Sequence, residues 1–171
     1  MTNDSASVPD FVHTFPDILA PFVPTPPDVV ERMLELAGVG GDDFLFDLGC
    51  GDGRIPIIAA QKYGARAFGV DAERYRVTES QANANAAHVD HLVTFSLQDA
   101  ATVELSAATV ITLYLVHWST NRMKSKILGE AKPGTRIVSH GFEMTDWEPW
   151  SYEEFVDSEG EPHKLYLWVV E

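Results

Sequence analysis

Phe44-Leu45-Phe46-Asp47-Leu48-Gly49-Cys50-Gly51-Asp52-Gly53-Arg54 is the stretch that decides the fold. A short apolar run carries one carboxylate and then breaks into three glycines, each one residue from the next. This is the pattern of a buried parallel strand that turns sharply into the start of a helix. Glycine adopts backbone angles that other residues avoid, and without a side chain it lets a ligand approach the backbone. The turn falls at the carboxyl end of a strand, where open α/β sheets bind ligands. The spacing Gly49-x-Gly51-x-Gly53 is not the dinucleotide fingerprint, and no Gly-Lys-Ser/Thr ending makes it a phosphate-cradling loop. Asp47 points to the opposite ligand charge, since a carboxylate there repels a pyrophosphate and attracts an ammonium or sulfonium group. The plain alternative is a chance acid before a glycine-rich turn, and the poor strand propensity of Asp weighs against it.

Upstream lies Pro21-Phe22-Val23-Pro24-Thr25-Pro26-Pro27-Asp28. Thr25 is predicted as the N-cap of a first helix, with Pro26 at its first position and Asp28 in its first turn. Val29, Met33, Leu36 and Ala37 follow a helical period, and Gly38, Gly40 and Gly41 end it. Downstream, a second helix is expected over residues 55–63 and a second strand over residues 67–70, ending in Asp71. A third helix is expected over residues 73–87, with Tyr75, Val77 and Ala84 facing inward. Residues 93–97 alternate as a third strand, followed by Gln98-Asp99-Ala100. Residues 109–116 are almost wholly apolar, as a central parallel strand covered on both faces should be. Its end, Tyr114-Leu115-Val116-His117-Trp118, points at the same rim as the glycine turn, and a helix is expected over residues 120–128. After the turn Lys132-Pro133-Gly134 comes a fifth strand over residues 135–140. Residues 147–156 are aromatic and acidic, residues 157–162 carry turn residues, and residues 165–170 read as a final strand. The last two strands are close in sequence and are expected to form an antiparallel hairpin at one sheet edge.

The glycine stretch resembles the first motif of the class I methyltransferases, which bind S-adenosylmethionine. More narrowly, the chain looks like the small lysine methyltransferases of archaea and their bacterial and mitochondrial relatives. The proline run from Pro21 to Pro26 carries that resemblance together with Lys132-Pro133-Gly134-Thr135-Arg136-Ile137-Val138-Ser139-His140 and Trp147. The resemblance implies an α/β fold: a Rossmann-like, mainly parallel seven-stranded sheet with helices on both faces and a C-terminal antiparallel hairpin. It implies S-adenosylmethionine as cofactor, held by Asp47, Gly49 and Gly51. Asp71, ending the second strand, suits a carboxylate that accepts bonds from two ribose hydroxyls, or the cap of the following helix. Asp99, with Ala100, is placed to accept a bond from the exocyclic amine of adenine, or is an ordinary loop acid. Phe22, Tyr114 and Trp118 are the expected walls of a substrate channel, and the stiff segment with Pro24 and Thr25 is its expected lid. The family carries tyrosine where this chain has Phe22. Tyr114 is the hydroxyl expected near a substrate amine. His117 is a candidate base or proton shuttle, or a rim histidine with no chemistry.

The composition narrows the partners. With 171 residues, residues 16–171 are expected to form one domain and residues 1–15 a loose arm. The single cysteine, Cys50, excludes an intramolecular disulfide and fits a reducing cytoplasm. The first ten residues lack the pattern of a signal peptide, and no apolar run reaches membrane-spanning length. The six histidines are scattered without metal-ligand spacing, so no metal is expected. A net charge of -14, from 26 acidic against 12 basic residues, argues against nucleic acid and allows a basic protein partner. Against base methylation also stands Tyr114-Leu115-Val116-His117, where amino-base enzymes carry Asp or Asn, two prolines and an aromatic. The expected activity is N-methylation of protein lysine side chains. A small-molecule methyltransferase with the proline segment as lid, and a non-catalytic cofactor-binding module, are the alternatives.

Overall fold

The computed structural model describes residues 24–115 and 117–171, the side chains of His117 and Trp118 excepted. The elements are α1 (Pro27–Leu36), β1 (Phe44–Leu48), α2 (Arg54–Tyr63), β2 (Arg66–Asp71), α3 (Arg74–Ala86), β3 (Val93–Leu97), β4 (Val110–Leu113), α4 (His117–Glu130), β5 (Arg136–His140), β6 (Ser151–Val156) and β7 (Pro162–Val169). Among the described residues they form one seven-stranded sheet in the order β3-β2-β1-β4-β5-β7-β6. The first five strands in that order run parallel; β7 is antiparallel to β5, and β6 to β7. The order reverses between β1 and β4, which makes the carboxyl ends of those two strands the natural crevice.

Alternation along each strand divides the core. Leu45, Ala67, Val110 and Val138 pack against Val29, Val30, Met33 and Leu34 of α1 and against Ala59 and Ala60 of α2. Phe46, Leu48, Ile111, Leu113 and Ile137 point to the other face, against Met123 and Ile127 of α4. By the same period Asp47 shares the face of Leu45, so β1 delivers a carboxylate to the rim on the α1–α2 side.

Three expectations are corrected. Thr25 does not cap α1: the helix begins at Pro27 after Pro26, without a side-chain cap, and the Thr25 hydroxyl bonds elsewhere. Asp28 supplies an acceptor instead, its Oδ1 taking the Val29 N–H at 3.0 Å. Tyr75 does not face inward; it is 51% exposed, and the inward residues of α3 are Val77, Ser80 and Ala84. Trp118 and His117 do not end a strand, since β4 stops at Leu113 and α4 starts at His117. The aromatic, acidic region holds a real strand, β6, whose residues alternate between half-buried and exposed as an edge strand's do. The readings of the 1–15 arm, of Phe22 and of the side chains of His117 and Trp118 lie outside the described residues.

Candidate active site

Three glycines of the turn take positive φ: +87° at Gly49, +57° at Gly51 and +82° at Gly53. At Gly53 space also demands glycine, because a Cβ would lie 2.9 Å from the Phe95 ring and 3.0 Å from Ser80. The turn is tied to its neighbours. The N–H groups of Gly49 and Cys50 both reach the Val70 carbonyl, at 3.0 and 2.8 Å, and the Gly53 N–H reaches the Cys50 carbonyl at 2.9 Å. The Gly51 N–H donates to Asp71 Oδ2 at 3.0 Å, and Ser80 on α3 donates to the Gly51 carbonyl at 2.7 Å. A phosphate cradle leaves such N–H groups aimed outward for the anion. Here they are spent inside the protein, which agrees with the sequence-based exclusion of a phosphate loop. Cys50 is packed beneath the turn, 5% exposed, and burial pushes its thiol well above the usual range, so it stays protonated.

Two carboxylates stand at adjacent strand ends. Asp47 is buried and accepts a bond from Thr112 Oγ1 at 2.8 Å. Burial pushes its pKa up to about 8; the Thr112 bond opposes this, while Asp71 and Asp52 add to it. Without a cation beside it, Asp47 is largely protonated at neutral pH. Asp71 holds the Gly51 N–H with one oxygen and the Glu73 N–H, at 2.9 Å, with the other. It joins the glycine turn to the start of α3, and burial raises its pKa against the pull of those N–H groups. Close by, Glu73 Oε1 is buried without a hydrogen-bond partner. A turn open to close approach, a buried acid that a cation would ionise, and acceptor oxygens at the end of β2 make a donor set that fits an adenosyl sulfonium compound. At the end of β3, Asp99 Oδ1 accepts the Ala101 N–H at 2.9 Å, and Ala100 is buried in the short turn this opens.

The segment ahead of α1 lies along the same rim. Arg54, ion-paired with Asp52 at 2.6 Å, donates from Nη1 to the Thr25 carbonyl at 2.9 Å. The Thr25 hydroxyl pairs with His140 Nδ1 at 3.0 Å, and the Tyr114 ring stacks on His140 with centroids 4.0 Å apart. Thr25, Tyr114 and His140 therefore meet at the ends of β4 and β5, while Pro24 is exposed beside them. His140, Arg54, Ser80 and Thr112 carry this geometry without having been predicted as site residues. The one local signal was a histidine ending an apolar strand. Beyond His140 the chain lines an open trough of about 820 Å³ with Glu143, Asp146, Glu148, Trp147, Tyr152 and Tyr166 among its walls. Among the described residues no group of three or more His, Cys, Asp or Glu is placed to hold a metal ion.

The comparisons with known proteins bear on the family and the fold. The model of the ANTKMT methyltransferase domain matches residues 47–151. A protein-lysine N-methyltransferase of Saccharolobus islandicus (strain REY15A) is 41% identical over 151 residues, which cover 88% of this chain and 93% of that protein. An adenine nucleotide translocase lysine N-methyltransferase of Mus musculus is 29% identical over 75% of this chain and 56% of its own length. The chain thus spans little more than half of that animal relative. Among solved structures, one described as an RNA methyltransferase from Salinibacter ruber in complex with S-adenosyl-L-homocysteine is 42% identical. It superimposes with a TM-score of 0.81 over 86% of this chain and 94% of that one.

Proposed function

This chain belongs to the ANTKMT methyltransferase family, and from that membership we propose that it moves a methyl group from S-adenosylmethionine to the ε-amine of lysine in a protein. That it is a class I methyltransferase follows from the family match and the shared fold. The lysine substrate rests on one observation beyond kinship, the acidity of the rim. Among the described residues three carboxylates line the trough beyond β5, against one lysine, Lys124, on the carbonyl of Thr145 at its wall, on a chain of net charge -14. RNA is the rival, because a 42% identical structure is described that way. An RNA binder gains its affinity from neutralising phosphates, and this surface repels them. A cationic polypeptide is drawn to it.

Asp47 would face the cationic end of the cofactor, Asp71 its ribose, and Asp99 with Ala100 its adenine, around Gly49 and Gly51. When bound, S-adenosylmethionine supplies a methyl group on an already activated sulfonium. The residues of this chain have the tasks of alignment and of managing a proton. A lysine amine has a pKa of about 10.4, so freeing its lone pair near pH 7.5 costs about 4 kcal/mol. Aromatic walls reduce that cost by disfavouring the cation. Tyr114 is half-buried and burial raises its pKa. Its hydroxyl keeps its proton, so it orients the amine without acting as the base. Pro24 and Thr25 would edge the substrate channel, for which the sequence offers Phe22 and Trp118 as further walls. The Tyr114→Phe variant should transfer methyl groups about fivefold more slowly, the worth of one orienting hydrogen bond. Its dissociation constant for S-adenosylmethionine should not change; weakened binding would put Tyr114 in contact with the cofactor instead.

Incubation with methyl-labelled S-adenosylmethionine and cell lysate tests the substrate. Label on macromolecules that survives nuclease and disappears with protease is the expected result. Label removed by nuclease would transfer the assignment to RNA, and label confined to small molecules would overturn the protein substrate.

A further inference from the structure

Beyond the rim, four side chains form one unbroken run of hydrogen bonds. Thr25 Oγ1 meets His140 Nδ1 at 3.0 Å, His140 Nε2 meets His163 Nδ1 at 2.8 Å, and His163 Nε2 meets Asp157 Oδ2 at 2.8 Å. The run crosses from the segment before α1, through the end of β5, to the β6–β7 hairpin. Its proton positions follow from its far end. Asp157 also accepts the N–H groups of Glu159 and Glu161, both at 2.9 Å. The bond from His163, and after it those of the Glu161 and Glu159 N–H groups, holds its carboxyl below the usual range, so it is an acceptor only. When neutral, His163 therefore carries its one proton on Nε2 and accepts on Nδ1. His140 must then donate from Nε2 and accept on Nδ1, and the Thr25 hydroxyl must donate to it. With its one proton committed, the Thr25 oxygen can join a further bond only as an acceptor. The partner that suits it on this rim is an N–H of an ammonium group.

We propose that Thr25, His140, His163 and Asp157 are a directional proton relay that carries a proton from the substrate amine to the hairpin surface. The proposal rests on the lysine reading above. One N–H bond of the ammonium breaks and an O–H bond forms on Thr25. The Thr25 proton passes to His140 Nδ1, and the His140 Nε2 proton passes to His163 Nδ1. Thr25 and His140 end neutral, and His163 ends as an imidazolium beside the Asp157 carboxylate. Water at the hairpin then takes the His163 Nε2 proton, and both rings return to their Nε2-protonated forms before the next transfer. The burial gradient suits this direction. His140 is 2% exposed, and burial, with the nearby His163, drives its pKa down to about 4, so a charge does not rest there. The side chain of His163 is 16% exposed, the most open point of the run, and faces the Asp157 carboxylate, whose side chain is 6% exposed. Other titratable and charged groups around the run include Tyr114 stacked on His140, Arg54 on the Thr25 carbonyl, Asp28 of α1 on the Ser158 N–H, and Glu159 and Glu161 of the hairpin turn.

Two measurements test it. In ¹⁵N-labelled protein without substrate, at a pH where His163 is neutral, the imidazole shifts should show both rings protonated on Nε2 alone. A proton on Nδ1 of either ring, or a charged His140, would overturn the relay whatever the substrate. With poly-L-lysine as methyl acceptor, His163→Gln should lower kcat severalfold with KM unchanged and steepen the fall of rate at low pH. Added imidazole should restore part of the loss. A normal kcat, or a loss that imidazole leaves untouched, would make the run a structural clamp. Should His163→Gln fail to fold, Asp157→Asn serves, read by kcat, KM and the pH profile. Wild-type protein inactive on poly-L-lysine with the expected tautomers would count against the lysine reading and leave the relay geometry standing.

Discussion

Asp47→Asn is expected to yield a protein that is more stable than the parent at pH 8–9 and that has lost its hold on S-adenosylmethionine. Both effects come from one buried carboxylate. Its pKa lies at 3.8 in an ordinary setting and about 8 here, chiefly through burial. Because the folded-state value is the higher, the folded protein binds more protons than the unfolded chain between these limits. Stability is therefore complete below about pH 4 in this respect and declines as pH rises toward 8, by an amount on the order of 5 kcal/mol. Asparagine has no charge to bury and can still accept the Thr112 bond, so the melting temperature of the variant should be flatter with pH. The cofactor reverses the account, since a cation beside Asp47 stabilises the ionised form. Removing one partner of a buried charge pair costs about 2–5 kcal/mol, or at least thirtyfold in affinity. Wild-type binding at pH 7 should also release close to one proton, read by calorimetry in two buffers of different ionisation enthalpy. Wild-type affinity in the variant would remove Asp47 from the cofactor site.

The elements that were legible in the sequence are those whose signal is local. β1, the glycine turn and the entry to α2 sit within eleven consecutive residues, and both the strand period and the backbone requirement of Gly53 act inside that window. Asp71 was legible because it ends the next strand in the chain. The Thr25–His140 bond was not, because 115 residues separate its partners and only the closing of the sheet brings them together. The segment around Ser139-His140 marked the family without revealing what the histidine bonds. α3 shows a different failure. Its inward face runs Val77, Ser80 and Ala84, and the central position belongs to a serine because the Gly51 carbonyl needs a donor. A reading that looks for apolar residues selects Tyr75 instead, which lies outside. The start of α4 was missed because Thr120 carries an N-cap residue type within the helix. Its hydroxyl donates to the Leu115 carbonyl at 3.2 Å, behind the first turn.

Asp71→Ala should weaken S-adenosylmethionine binding tenfold or more, and the wild-type contacts show why affinity alone is an ambiguous readout. Asp71 already holds the N–H groups of Gly51 and Glu73. Removing it leaves two part-buried donors short of an acceptor, and an unsatisfied buried donor costs about 1–3 kcal/mol. The glycine turn can then loosen, and any ligand that uses it would bind less well. A ribose role makes a sharper demand. Each hydroxyl bonded to a carboxylate is worth about 1.5–3 kcal/mol, so wild-type protein should bind a 2′-deoxy analogue of S-adenosylhomocysteine about tenfold less tightly than the parent compound. In Asp71→Ala the same deletion should cost almost nothing, because the acceptor is already gone. The two losses are then non-additive, as they must be for groups in direct contact. If the variant instead discriminates against the deoxy analogue as strongly as wild type does, Asp71 acts on the turn alone. The ribose acceptor would then be sought at Glu73, whose Oε1 is the buried oxygen without a partner at the same strand end.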